Sequence, residues 1–222
     1  MTVELLSSTE NPIWTCAIAA SMCYDSTPSY NTVKGCIKSG HHSVLEHASF
    51  TFRITGISRS LLAQLTRHRL ASFSVQSQRY CSYAETDVSF VMPGNDKYLN
   101  GEILESAYDS LAAYNQIIAH GHSPENARAV LPNCMPTSLC MTVNLRELAT
   151  ICNQRLCAHA QAEIRQLFAA IKKVLLDCPK FSDEDKEIFR LLLVPKCETH
   201  PVPYCTEVKS CHKYKYLTEL VK

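Results

Sequence analysis

The chain has 222 residues, enough to bury a sizeable core in one domain, and its 46% hydrophobic content is that of an ordinary globular protein. Lys and Arg number 22 against 21 Asp and Glu, a formal charge of +1, so no global field draws the chain to nucleic acid or anionic membrane, and any basic function is local. No apolar run approaches the ~18 residues of a membrane span, and the opening MTVELLSSTE lacks the basic and apolar regions of a signal peptide, so a cytoplasmic protein with no membrane contact is expected.

Along the chain, the first clear pattern is HASFTFRIT, in which Ala48, Phe50, Phe52 and Ile54 point to one side of a strand. SRSLLAQLTRH, Ser58 to His68, then takes the helical period behind a serine cap and delivers Arg67 and His68 to the helix end or the loop beyond it. DVSFVMP and TSLCMTV read as further short strands. NGEILESAYDSLAAYNQIIAHG and the run from about Val143 to Leu176 read as helices, Pro179 ending the latter, and a last helix is expected over Asp183 to Leu193. Strands interleaved irregularly with long helices predict an α+β fold, a mixed sheet flanked by long helices. The predicted organisation is a single domain over 1–195 with an irregular tail, rich in Cys and Pro, over 196–222. The six glycines, Gly35, Gly40, Gly56, Gly94, Gly101 and Gly121, spell neither a dinucleotide fingerprint nor a P-loop, so side chains must do much of the work of binding any phosphate.

The most informative stretch is RHRLASFSVQSQRY, Arg67 to Tyr80. From Thr51 through Ala84 there is no Asp or Glu, yet Arg53, Arg59, Arg67, Arg69 and Arg79 fall inside that span. Arginine's rigid fork makes bidentate bonds to phosphate and stacks on planar rings, so a phosphate carrying an aromatic ring is the natural guest. Ser72, Ser74 and Ser77 add hydroxyls, and Gln64, Gln76 and Gln78 can hydrogen-bond a pyrimidine or flavin edge. Two competing readings of the composition are a solvated face whose arginines pair with carboxylates elsewhere, and a module for single-stranded nucleic acid. The modest net charge and the lack of a second basic stretch weigh against the nucleic acid.

Residue order narrows this further. Arg67-His68-Arg69, seven residues, then Ser77 matches the defining pattern of the flavin-dependent thymidylate synthases, and Gln78-Arg79-Tyr80 follows it. Upstream, GHHSVLEH is similar to the family's Gly-His-x-Ser/Thr-x-x-Glu-His segment. Downstream, ENARAVLP and VNLRELATICNQRLCAHAQAEIR resemble the segments that complete its nucleotide and flavin sites, so the resemblance covers roughly residues 40 to 180. It implies that Ser43, Arg67, His68, Arg69, Asn144, Leu145 and Arg146 contact FAD. It likewise implies that Gln64, Leu65, Thr66, Arg67, Val75, Gln76, Ser77, Gln78, Arg79, Arg128 and Arg155 contact dUMP. The implied reaction is reductive methylation of dUMP to dTMP, with NADPH as reductant and 5,10-methylenetetrahydrofolate as carbon donor. The flavin, not a protein nucleophile, reduces the pyrimidine, and Arg155 acts electrostatically as N3 of the uracil ionises. The family's homotetramer, whose subunits share each site, is implied as well.

Two departures stand out: Ser74-Val75 replaces the Asn-Glu of many members, which leaves only backbone contacts there, and Thr150 stands where members often have His or Asn. Asn144, Leu148, Ile151 and Arg155 are spaced to share one helix face, which could serve both ligands. Cys134 and Ser77 are not favoured as nucleophiles, because no visible motif sets a base beside either. Most of the twelve cysteines read as buried thiols. The tail's Cys197, His200, Cys205, Cys211 and His212 invite a zinc reading, but the spacing is not a standard one and no metal is expected.

Overall fold

A computed structural model describes residues 1–23, 25–84 and 86–220. Strand β1 (Thr2–Ser8) opens the chain, followed by helices α1 (Pro12–Met22) and α2 (Tyr30–Lys38). A 3-10 turn (His42–His47) leads into β2 (Ser49–Ser58), α3 (Arg59–Leu65) and β3 (Ser72–Val75). Then come α4 (Lys97–Ala119), the short α5 (Pro124–Ala127) and β4 (Pro136–Asn144). Helices α6 (Leu145–Arg155), α7 (Ala162–Asp177) and α8 (Asp183–Leu192) follow, and a single turn, α9 (Leu217–Leu220), closes the described chain. The expected α+β class, a sheet flanked by helices, is what forms.

The four strands run in the order β1-β2-β4-β3. Thr2 bonds Thr55 while Ser49 bonds Thr9, and Thr51 bonds Thr142 while Arg59 N–H reaches the Met135 carbonyl. Partner numbers fall as strand numbers rise, so the strand directions sharpen from mixed to antiparallel. The alternation in HASFTFRIT is realised in full: Ala48, Phe50, Phe52 and Ile54 are all completely buried.

The chain divides into two compact units, with each of the four strands contributing residues to both. The first comprises residues 1–2, 53–67 and 73–140. Its core gathers Leu111 and Tyr114 of α4 with Tyr83, Val88, Phe90, Ala127 and Met135. Val88 and Phe90 belong to DVSFVMP, which is not a strand. Its apolar side chains turn inward as a strand's would, but Val91 N–H to the Cys134 carbonyl is the one ladder-like bond that its described residues make, and Pro93 has no N–H to offer. Burial alone therefore shapes that segment.

The second unit comprises residues 3–52, 68–72 and 141–222. Phe50 meets Phe181 and Phe189 edge-on, at centroid distances of 6.1 and 5.7 Å. The helical run expected from about Val143 to Leu176 is broken between Arg155 and Ala162, so that α6 and α7 are separate helices. Helix α8 begins with a capping box: the Ser182 hydroxyl accepts from Asp185 N–H, and the Asp185 carboxylate accepts from Ser182 N–H. The other oxygen of Asp185 accepts from Ile13 N–H at 3.3 Å, which ties α1 to α8. Among the described residues no helix is long and apolar enough to cross a membrane.

Candidate active site

Helix α3 starts at Ser58, whose hydroxyl accepts from Leu61 N–H, and ends at Thr66, whose hydroxyl caps the Leu62 carbonyl. This short helix hands the chain to Arg67-His68-Arg69 in a turn. Arg67 and Arg69 are exposed there, and neither pairs with a carboxylate among the described residues; His68 between them is buried. Its Nε2 accepts a 3.0 Å hydrogen bond from Arg155 Nε, and its Nδ1 lies 3.8 Å from the buried carboxylate of Glu147. Burial, and then the Arg155 charge, lower the imidazole from the usual 6.5 to about 4, so it is neutral near pH 7 with the proton on Nδ1. Burial likewise pushes the Glu147 carboxyl upward.

Helix α6 supplies the other side of this array. Its N-cap is Asn144, whose side-chain oxygen accepts from Glu147 N–H at 2.8 Å, and Arg155 closes its last turn, a favourable place for a cation. The expected face of Asn144, Leu148, Ile151 and Arg155 exists, but Leu148 and Ile151 are completely buried. Only its two ends can meet a ligand, about 16 Å apart for a helix of this length. Arg146 pairs with Glu46, which belongs to GHHSVLEH, as does the exposed Ser43. Thr150 turns its hydroxyl back to the Arg146 carbonyl.

In the first unit, Arg79 engages Glu125 with two guanidinium nitrogens, at 2.8 and 3.3 Å, and Arg128 Nε donates to the Glu125 carbonyl at 3.1 Å. Both cations expected at a nucleotide phosphate therefore converge on one residue. The Ser77 hydroxyl accepts from Arg79 N–H at 3.1 Å. Arg59 donates to the Gln76 carbonyl and so fixes the start of this loop, while Gln64 reaches back to the Ser60 carbonyl. Val75 ends β3, and Gln76, Ser77 and Gln78 are half-buried beyond it. Leu65 and Leu145 are completely buried, so only their backbones can face a ligand. Thr66 is exposed. Of the residues expected at dUMP all but Arg155 lie in the first unit, and of those expected at FAD all but Arg67 lie in the second.

The carboxylates Glu46, Glu125 and Glu147 are what sequence reasoning missed. Each answers a cation or imidazole of the expected site from a distant segment, and for Arg79 this is the pairing with a carboxylate elsewhere that was one of the competing readings. A signal was available, since Glu46 and Glu125 stand inside the quoted segments GHHSVLEH and ENARAVLP. Burial pushes the Cys134 thiol upward, and it packs beside the core of the first unit, as a structural thiol would. In the tail, His200 stacks on Tyr204 and bonds its hydroxyl at 3.1 Å, and among the described residues no three His, Cys, Asp or Glu side chains group as a metal requires.

Comparisons with known proteins place the chain in a family. The family described as thymidylate synthase complementing protein matches residues 4–179. A flavin-dependent thymidylate synthase of Geobacter sulfurreducens is 41% identical over 182 residues, covering 75% of this chain and 78% of that protein. Another from Pyrococcus furiosus is 35% identical over 212 residues, covering 88% and 86%. In structure, the Helicobacter pylori flavin-dependent thymidylate synthase complexed with FAD and dUMP superposes with a TM-score of 0.73 at 23% identity, covering 87% of this chain and all of that one, which shows a shared fold. The chain belongs to the flavin-dependent thymidylate synthase family.

Proposed function

We propose that this chain methylates dUMP reductively to dTMP, with FAD as its bound cofactor, NADPH as reductant and 5,10-methylenetetrahydrofolate as carbon donor. The observation that carries the reading is the bond from Arg155 to His68: it joins the Arg-His-Arg motif to α6, the helix whose other end bears Asn144 and Arg146. Arg67 and Arg69, exposed and without a described carboxylate partner, suit the paired phosphates of FAD, with Ser43, Asn144, Leu145 and Arg146 completing its contacts. When bound, FAD supplies the hydride that completes the new methyl group, which leaves no task for a protein nucleophile.

The chain's own residues bind and polarise. Arg79 and Arg128 hold the dUMP phosphate, whose oxygens take the place that the Glu125 carboxylate occupies on Arg79. Gln64 and the segment from Val75 to Gln78 orient the pyrimidine. Arg155 stabilises negative charge as N3 of the uracil ionises, and neutral His68 fixes the plane of its guanidinium by accepting at Nε2. In this reading residues 1–195 form the catalytic domain, 196–222 are an appended tail, and the enzyme is a cytoplasmic homotetramer with shared active sites. Twelve cysteines carried as free thiols suit a reducing compartment.

The test is a flavin absorbance spectrum of the purified protein with and without dUMP, followed by an assay for dTMP with NADPH and methylenetetrahydrofolate. A flavin band perturbed by dUMP, together with turnover, is expected. A colourless protein that takes up no FAD and binds oligonucleotide with a steep salt dependence would overturn the reading.

A further inference from the structure

Four of the twelve cysteines stand on the wall of one cavity in the second unit. Cys157, in the link between α6 and α7, and Cys197, Cys205 and Cys211 of the tail all line a single cavity of about 170 Å³. Several contacts hold the tail there. Glu198 accepts from Lys213 Nζ and from the Tyr214 hydroxyl, at 2.5 and 3.3 Å. His159, in the same link as Cys157, bonds the Lys209 carbonyl. Helix α6 also packs against the turn Lys196–Glu198 that carries Cys197. Cys157 and Cys197 share this cavity wall, and the Cys197 thiol is pushed up by burial first, then by Glu198 and by Cys157. Cys205 is buried, its backbone fixed by a bridge to Tyr216, while Cys211 is exposed.

We propose that Cys157 and Cys197 form a reversible modification site that exchanges with low-molecular-weight disulfides of the glutathione class, closing a bond that fastens the tail to the link two residues beyond Arg155. In the first step a protein thiolate attacks the added disulfide and expels one glutathione thiolate, leaving a mixed disulfide. The second protein thiolate then attacks the protein sulfur of that mixed disulfide and expels the other glutathione. Two electrons pass from the protein pair to the glutathione pair, and the two protein thiol protons end on two glutathione thiols. Because the Cys197 thiol is pushed up, the exchange accelerates from neutral to alkaline pH.

The experiment incubates the whole, folded protein with glutathione disulfide, blocks the remaining thiols and maps disulfide-linked peptides by mass spectrometry. A Cys157–Cys197 peptide is expected, with two glutathione thiols released for each such linkage formed, reversal by dithiothreitol, and slower amide hydrogen exchange in the tail of the oxidised form. Cys205→Ser and Cys211→Ser should keep the linkage, and Cys197→Ser should stop at a mixed disulfide on Cys157. The proposal is overturned by a linkage through Cys205 or Cys211, by mixed disulfides alone in the unsubstituted protein, or by stoichiometric zinc that shields these thiols. None of these readouts depends on catalysis, so their failure and that of the proposed reaction are separable.

Discussion

Arg155 and His68 carry the proposed chemistry at the scale of single residues. Arg155→Ala is expected to leave a folded protein that still takes up FAD yet forms little or no dTMP, because the guanidinium charge is lost while Arg67, Arg69 and Asn144 remain. Near-native turnover, with flavin binding checked by absorbance, would remove Arg155 from the mechanism. His68 adds a pH dependence. Its folded value of about 4 lies below the ordinary 6.5, so the folded state holds fewer protons, and its contribution to stability is present above 6.5 and lost as pH falls through about 4. Arg155 and Glu147 both face this ring; Glu147, shifted upward by burial, works in the opposite direction and softens the loss. The thermal midpoint should therefore fall across that window, and less steeply in His68→Gln, whose amide oxygen can still accept from Arg155. Identical slopes in the two proteins would place the acid sensitivity elsewhere.

Elements, one level up, differ in how legible they are. Alternation announced β2 and β4, a serine cap announced the start of α3, because Ser58 stands one position before the helical run and bonds its first turn, and α8 was legible to within a residue although its Ser182 cap was not noticed. Strand β3 was missed: SFSV is four residues long, and its exposed serines mask the pattern. DVSFVMP misled because inward alternation needs only a core to bury against, not a ladder. The Arg-His-Arg motif was legible as chemistry, but its tie to Arg155 spans 87 positions, a pairing that no local pattern encodes. Asp185 is the element-scale test, since its two oxygens serve both the α8 cap and the N–H of Ile13 in α1. Asp185→Ala should cost about 2 kcal/mol, the sum of a lost cap and an orphaned buried donor. A urea midpoint unchanged from that of the parent protein would show that α1 and α8 are held together by apolar packing alone.

For the molecule as a whole, a formal charge of +1 sits beside exposed cations, Arg67 and Arg69, that pair with no described carboxylate. If FAD and dUMP bind where Arg67, Arg69, Arg79, Arg128 and Arg155 stand, and if subunits share those sites, ligands should stabilise the assembly in proportion to the logarithm of their concentration. Light scattering should give the mass of four chains, and the unfolding temperature should rise as FAD and dUMP are added. A monomer that turns over dUMP would show that one chain suffices. The strand order has a consequence for how the chain is made. In β1-β2-β4-β3 the third strand to be synthesised has only the fourth as its neighbour, and β2 lacks its second partner until the same moment. A nascent chain emerging from the ribosome therefore carries β3 unpaired until residues 136–144 clear the exit tunnel, and Phe50 uncovered until Phe181 and Phe189 follow. Ribosomes stalled before that point should display a chain that chaperones bind and proteases cut, and ribosomes stalled well beyond it should not.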